Sequence, residues 1–156
     1  LDLVYEDPHN FTLNSSSFKA GERIAEMGAC INCHFYGEEK PKQDALTWAP
    51  NLVLTKERLR PEWLVEWFIN PQDVMPGTKM PAPYIPTEEP QNSIREVWGS
   101  DVAKISRDST KLYKSLIDWM WGMEGRKDVS SIVKRHLNSQ GYGFIIEEED
   151  DWGDEW

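Results

Sequence analysis

The sequence predicts an all-α fold built from three principal helices around one apolar core. Three stretches repeat apolar side chains at helical spacing, and six of the ten prolines lie between residues 71 and 90. Because proline removes a backbone donor and clashes with the preceding turn, residues 71–90 are predicted to form a stiff loop without helix. At 156 residues, the chain is long enough for one domain of ordinary size with a modest extension.

The first predicted helix covers about residues 17–28. Ser17 is suited to cap its N-terminus, because a serine hydroxyl can accept from a free backbone N–H group of the first turn. The apolar members of this helix are Phe18, Ile24, Ala25 and Met27. Their presence predicts that the helix packs against a core.

Both cysteines lie in one short motif, Cys30-Ile31-Asn32-Cys33-His34. Two thiols three residues apart lie on one side of a helical turn, where each can form a thioether with a vinyl group of a haem, and the adjacent histidine can bind the iron. The motif therefore predicts one covalently bound haem c. Since haem of this type is attached outside the cytoplasm, we expect a periplasmic or otherwise extracytoplasmic protein.

The motif alone leaves three other interpretations open, namely a redox dithiol, a zinc site and chance. A thioredoxin-type dithiol needs a βαβ context with its first cysteine at a helix N-terminus, whereas here a helix leads into Cys30. A zinc site needs a fourth ligand, and His9 and His136 have no second ligand nearby at zinc-finger spacing. Haem attachment is the preferred interpretation.

The second predicted helix covers residues 61–69 and leads to the proline-rich loop. Pro61 suits its first position, and its apolar stripe consists of Trp63, Leu64, Trp67 and Phe68. The loop runs from Asn70 to the sequence Pro76-Gly77-Thr78-Lys79-Met80-Pro81. Its stiffness suits an axial thioether, because the Met–iron bond is weak and the loop must hold the sulfur over the metal.

The third predicted helix begins near Asp108-Ser109 and follows an insertion at about residues 87–108. Within the insertion, Asn92-Ser93 is suited to cap a short helix that carries Ile94, Val97 and Trp98, and the segment is expected to shield a haem edge or meet a partner. Residues 123–156 form a C-terminal extension with a predicted helix from Asp128 to Ser139. The stripe of the third helix consists of Leu112, Tyr113, Leu116, Ile117 and Met120.

The charge balance argues against nucleic acid as a partner. The chain has 17 basic and 27 acidic residues, a net charge of -10, and the ten residues 147–156 hold seven of the acids and no base. A protein that binds phosphate backbones needs clustered Lys and Arg to release counterions. A run of 18 apolar residues is also missing from the sequence, so no membrane span is predicted within it.

The two ends of the chain carry expectations of their own. The sequence begins at Leu1 and has no signal-peptide pattern, so we expect a mature product or a fragment whose targeting or anchor segment is missing. An acidic run such as residues 147–151 repels itself. We therefore expect the lead segment and the tail to be held by other chains, with Trp152 and Trp156 as anchors.

The order of these features resembles the class I, mono-haem cytochromes c. The resemblance covers about residues 18–122, with a lead segment at 1–17, and it implies that family's helical fold around one haem, with the insertion and the extension added. The parts that carry it are Gly21 in the first helix, Cys30–His34, Ala49-Pro50-Asn51-Leu52, Trp63 to Pro71, the Pro-Gly-Thr-Lys-Met sequence at 76–80, and the late helix around Leu112–Met120.

The resemblance implies a role for individual residues on the proximal side of the haem. Cys30 and Cys33 correspond to the thioether donors, and His34 corresponds to the proximal ligand of the iron. Pro50 corresponds to the residue whose backbone carbonyl accepts from the proximal imidazole, a contact that fixes ring orientation and ligand basicity.

On the distal side, the resemblance implies that Met80 is the sixth ligand and that Thr78 bonds a haem propionate. Met75 is the main alternative ligand, with packing at the haem edge as its other interpretation. His136 would reach the iron only if the extension folded over the haem, and an open sixth position is the remaining alternative. Trp67 is expected to be a wall of the haem pocket.

The function implied is one-electron transfer without catalysis, because His/Met ligation fills both axial positions of the iron. The lead segment, insertion and tail favour a fixed subunit of a larger respiratory or photosynthetic complex. The alternatives are a freely diffusing periplasmic shuttle, and a haem enzyme or gas sensor with an open distal site. In each case of electron transfer, other redox proteins are the expected partners.

Overall fold

The fold is all-α over residues 10–143, the part of the chain that the structure, a computed structural model, describes. Short 3-10 turns lie at Cys30–Asn32, Ala45–Thr47 and Leu52–Leu54, and no strand occurs within the described range. The α-helices are α1 (Ser16–Met27), α2 (Thr55–Arg58), α3 (Pro61–Ile69), α4 (Pro71–Val74), α5 (Gln91–Val97), α6 (Ser100–Ile105), α7 (Ser109–Trp121) and α8 (Ser130–Ser139).

The crossing of α1 and α7 is the most extensive helix contact in the fold. At its centre, Gly21 brings the α1 backbone against that of α7, and a methyl group added there would overlap the Ser115 carbonyl and come within 2.9 Å of the Leu116 nitrogen. Ile24 and Ala25 are buried beside the crossing. A glycine is therefore required at this point by the distance between the two backbones.

The N-terminus of α1 differs from the prediction. Ser15, not Ser17, caps the helix, because its hydroxyl accepts from the Phe18 N–H at 3.2 Å. Ser17 lies inside the helix, where its hydroxyl donates to the carboxylate of Asp118, which is 1% exposed. Met27 was predicted as an apolar packing residue, yet it is 40% exposed at the C-terminal end of α1.

Helices α3 and α7 begin where the sequence predicts. Pro61 occupies the first position of α3, and Asp108 caps α7 by accepting from the Lys111 N–H at 3.2 Å. The two helices pack together through Phe68 and Tyr113, whose rings are stacked with centroids 6.3 Å apart. The core-facing residues of their predicted stripes are buried, namely Leu64, Phe68, Leu112, Leu116, Ile117 and Met120.

The prediction that residues 71–90 contain no helix is wrong for their first turn. Pro71–Val74 forms the short helix α4, with Pro71 at its first position. A proline is tolerated there because the first N–H groups of a helix have no partner within it. Residues 75–90 contain no helix, in agreement with the prediction.

The insertion is part of the core. Its first helix begins at Gln91 and has no side-chain cap, so the predicted Asn92-Ser93 cap is wrong. A second helix, α6, was not predicted, and it packs against α1 and α5. The buried apolar residues of the insertion join the same cluster as α1, α3 and α7, and they are Ile94, Trp98, Val102 and Ala103.

The C-terminal extension continues past α7 into α8. This helix begins at Ser130, two residues later than predicted. The Asp128 carboxylate lies just before it and accepts from the Ser130 N–H at 2.9 Å. Residues 1–9 of the lead segment and the acidic tail with Trp152 and Trp156 lie outside the described residues, and so does the anchoring expected of them. None of the helices described is long and apolar enough to cross a membrane.

Candidate haem-binding site

The cysteine motif forms a tight turn directly after α1. The chain reverses at Ala29, which has a left-handed φ of 51°, and Cys30–Asn32 follows as a 3-10 turn. The backbone N–H groups of Cys33 and His34 both donate to the Cys30 carbonyl, at 3.2 and 2.9 Å. Both thiols are half-buried and free, and burial raises the pKa of the Cys30 thiol. The turn therefore presents two thiols and one imidazole within five residues.

The His34 imidazole is held by the backbone of the Pro50 segment. Its Nδ1 lies 2.7 Å from the Pro50 carbonyl oxygen, which can only accept, so Nδ1 carries a proton and Nε2 is the nitrogen whose lone pair is available in the neutral ring. Burial lowers the pKa of His34 and outweighs the opposing effect of the Pro50 carbonyl. An isolated parallel bridge between His34 and Ala49 aligns the cysteine turn with the segment that contains Pro50. In it, the Ala49 N–H donates to the Cys33 carbonyl at 2.7 Å. The bond to Pro50 thus holds the imidazole in one orientation, as a metal ligand requires.

The sulfur of Met80 is held by an indole. The Trp67 Nε1–H group donates to Met80 Sδ at 2.8 Å, and the Trp67 ring is stacked on Trp63 with centroids 5.1 Å apart. The prediction made Trp67 a passive pocket wall, and this direct bond to the predicted ligand was missed. A thioether sulfur has two lone pairs, so accepting from the indole leaves one for a metal ion.

The loop before Met80 is closed by the side chain of Gln72. The Gln72 amide accepts from the Gly77 N–H at 3.1 Å and donates to the Thr78 carbonyl. The Thr78 hydroxyl accepts from the Met80 N–H at 3.3 Å, so it contacts the backbone of the predicted ligand. Gln72 was not singled out from the sequence. Its spacing of five residues from a Pro-Gly turn would have been the only signal.

The burial of the two methionines separates them as ligands. Met80 is half-buried and packs against the core cluster, whereas Met75 is 55% exposed and contributes its carbonyl to the loop by accepting from the Thr78 N–H. His136, the third alternative, lies on α8 with its ring against Trp48 at a centroid distance of 4.6 Å. Met80 is therefore the methionine better placed to ligate a metal next to the core.

These residues fit a covalently attached haem by the chemistry of their donor set. The thiol of Cys30 and the side chain of Met80 contact the same apolar cluster, so the attachment turn and the methionine loop meet one core. Two cavities lie beside α8, and one of them is lined by Pro50 and Asn51; neither is lined by the cysteines, His34 or Met80. Among residues 10–143, no three His, Cys, Asp or Glu side chains converge as a metal site, so the zinc alternative has no such triad there.

Comparisons of the chain with protein-family models, with curated proteins and with solved structures gave no match.

Proposed function

We propose that the protein is a mono-haem c-type cytochrome of the class I kind that transfers single electrons, with His34 and Met80 as the axial ligands of the iron. The observation that carries the proposal is the Cys30–His34 turn, in which two thiols and an imidazole oriented by the Pro50 carbonyl follow directly after α1. The resemblance of residues 18–122 to class I cytochromes supports the same fold around the haem. The Cys30–His34 motif is the only one of this kind in the sequence, so one haem is proposed.

Each residue of the site has one task in this proposal. Cys30 and Cys33 form the thioether bonds that retain the haem, and the bound haem iron supplies one-electron chemistry between its ferric and ferrous states. His34 donates its Nε2 lone pair while Pro50 fixes the ring. Met80 donates its sulfur, and a thioether ligand favours the reduced iron. The Trp67 N–H draws electron density from that sulfur, which favours the reduced state further.

Electron transfer is favoured over catalysis by the ligand set. A carrier with both axial positions filled needs no acid, base or nucleophile, and a half-buried Met80 held by Trp67 and Thr78 supports a closed sixth position. An enzyme or gas sensor would instead need that position open. Prompt binding of carbon monoxide by the reduced protein would distinguish the open site from the closed one.

The proposed setting is an extracytoplasmic electron-transfer complex in which this chain is a fixed subunit. The length of chain outside the part that resembles the family supports this setting, because the insertion adds α5 and α6 and the extension adds α8. The other redox subunits of the complex are the proposed partners, and a respiratory or photosynthetic chain is the proposed context. A freely diffusing shuttle is the alternative, and it would elute alone from a native extract.

Covalent haem attachment is the first expected result. The protein, expressed with a haem-attachment system, is expected to keep its haem through denaturing electrophoresis and to give a low-spin spectrum in both oxidation states. Cys30→Ser with Cys33→Ser is expected to release the haem under denaturing conditions, because no thioether remains. A parent protein that loses its haem in denaturant, or shows a high-spin spectrum, would contradict the proposal.

The Trp67–Met80 bond predicts a shift in reduction potential. Trp67→Phe keeps an aromatic ring but removes the donor, so Met80 donates more strongly to ferric iron and the potential is expected to fall by about 20–60 mV, the equivalent of one hydrogen bond. Trp63→Phe is the matched control, because it changes the stacked partner and leaves the bond to sulfur in place. Equal shifts in the two variants, measured by redox titration, would show that the bond has no role.

A further inference from the structure

The side chain of Asn51 joins three segments of the chain that are far apart in sequence. It is 5% exposed, and both of its polar atoms are fully used. Its carbonyl oxygen accepts from two backbone N–H groups, and its amide nitrogen donates to two backbone carbonyls of the C-terminal extension. The partners are Gly37 at 3.0 Å and Val53 at 3.3 Å on the accepting side, and Arg126 at 2.9 Å and Lys127 at 3.2 Å on the donating side.

This junction bears directly on the imidazole of His34. The carbonyl that accepts from His34 Nδ1 belongs to Pro50, and the peptide unit that contains it ends at the nitrogen of Asn51. Because this peptide unit is planar and extends to the Cα atom of Asn51, holding Asn51 in place restricts the directions that the Pro50 carbonyl can take. Gly37 lies three residues after His34, so Asn51 ties both sides of the histidine–carbonyl bond to one point.

The extension is seated against this side of the site by further contacts. A methyl group added at Gly37 would come within 3.2 Å of the Gly125 Cα atom, so the two glycines pack backbone against backbone. The ring of His136 on α8 lies against Trp48, as described above. Lys127 forms an ion pair with Glu57, which is exposed and contributes little. Backbone packing and the Asn51 amide therefore hold the extension in place.

We propose that Asn51 is a positioning residue through which the described part of the C-terminal extension, residues 123–143, fixes the orientation of the His34 imidazole. The proposal rests on the proposed function only in taking His34 as the iron ligand. A histidine ligand that keeps a firm Nδ1–H bond is a stronger base and a better-oriented donor. The extension thereby influences the reduction potential from the proximal side, through Asn51 and the Pro50 carbonyl.

The test is the exchange rate of the His34 Nδ1 proton, followed by nitrogen-15 NMR in the full-length, reduced protein. Asn51→Ala is expected to raise this rate about tenfold or more, because it removes a buried group with four partners. The reduction potential is expected to change with it. The matched control is Ser106→Ala, which removes a buried hydroxyl that links Gln91 to the Ala103 carbonyl. That control is expected to leave the rate within about twofold of the parent, since it lies between α5 and α6.

Two further variants keep the proposal testable even if Asn51→Ala does not fold. Gly125→Ala places a side chain at a φ of 145° and against Gly37, so it is expected to displace the extension and raise the exchange rate several-fold. Lys127→Ala keeps the carbonyl that Asn51 uses and is expected to have no effect.

Parental exchange in Gly125→Ala, or in a folded Asn51→Ala, would overturn the proposal. So would an equal rise in Ser106→Ala. A parent without covalent haem would instead contradict the proposed function, and the proton exchange of His34 can still be compared in that haem-free chain.

Discussion

In the proposed haem protein, replacing Met80 by alanine is expected to lower the reduction potential of the iron by on the order of 100 mV or more and to convert the oxidised protein from low-spin to high-spin. The alanine removes the sulfur that favours ferrous iron, and water or another weak ligand takes its place. The charge-transfer absorption of the methionine–ferric bond is expected to disappear. The variant is also expected to bind carbon monoxide promptly when reduced, whereas the parent is not.

Met75→Ala is the matched control for this prediction. It removes an identical side chain five residues earlier in the same loop, where the side chain is 55% exposed and the backbone carbonyl, which the variant keeps, accepts from the Thr78 N–H. The spectrum and the potential of Met75→Ala are expected to stay close to those of the parent. A loss of the methionine band in this control, with an unchanged Met80→Ala spectrum, would reverse the assignment of the ligand.

Gly21→Ala is expected to destabilise the fold by about 2 kcal/mol or more. Alanine gains about 1 kcal/mol over glycine in a helix interior, but the added methyl group would overlap the Ser115 carbonyl, and overpacking of this kind costs about 3 kcal/mol or more. The clash wins because the partner is backbone, which cannot rotate away as a side chain can. The melting temperature is expected to fall by about 4–8 °C or more, measured by calorimetry or circular dichroism.

Glu22→Ala is the control variant for Gly21→Ala at the crossing of α1 and α7. It changes the next residue of α1, which is exposed, and places the same methyl group on the side of the helix away from α7. Its effect on the free energy of unfolding is expected to stay within about 0.5 kcal/mol. If Gly21→Ala were as stable as Glu22→Ala, the close approach of α1 and α7 would be wrong.

The helices that the sequence predicts well are those with strong local signals. α3 begins at Pro61 and α7 follows the Asp108 cap, and in both an apolar stripe fixes the length. α6 was missed because its six residues form barely two turns, too few to establish a helical period, and it is stabilised by packing on α1 and α5. The Ser15 cap was missed because three consecutive serines offer equivalent local signals.

The candidate site divides in the same way. The cysteine motif and the Pro-Gly-Thr-Lys-Met loop are each contiguous in sequence, so a haem-binding role can be predicted from them directly. The proposed role of Asn51 depends on backbone carbonyls that lie 75 and 76 residues away in the sequence. The bond between Trp67 and Met80 depends on the approach of α3 to the methionine loop. Backbone acceptors carry no residue-type signal, since every residue has a carbonyl. Such ties can be found only after the chain has been folded.

The α1–α7 crossing also governs the order in which the chain can become structured. It joins Gly21 to Ser115, so the loop that it closes contains nearly all of the candidate site. Doubling the length of a loop adds only about 0.6 kcal/mol to the entropic cost of closing it, so the large sequence separation of the crossing adds little to that cost. It is nevertheless a contact of high sequence separation, which is slow to form. A chain still being synthesised, before α7 is complete, keeps the glycine face of α1 without its partner and leaves the cysteine turn outside any finished core.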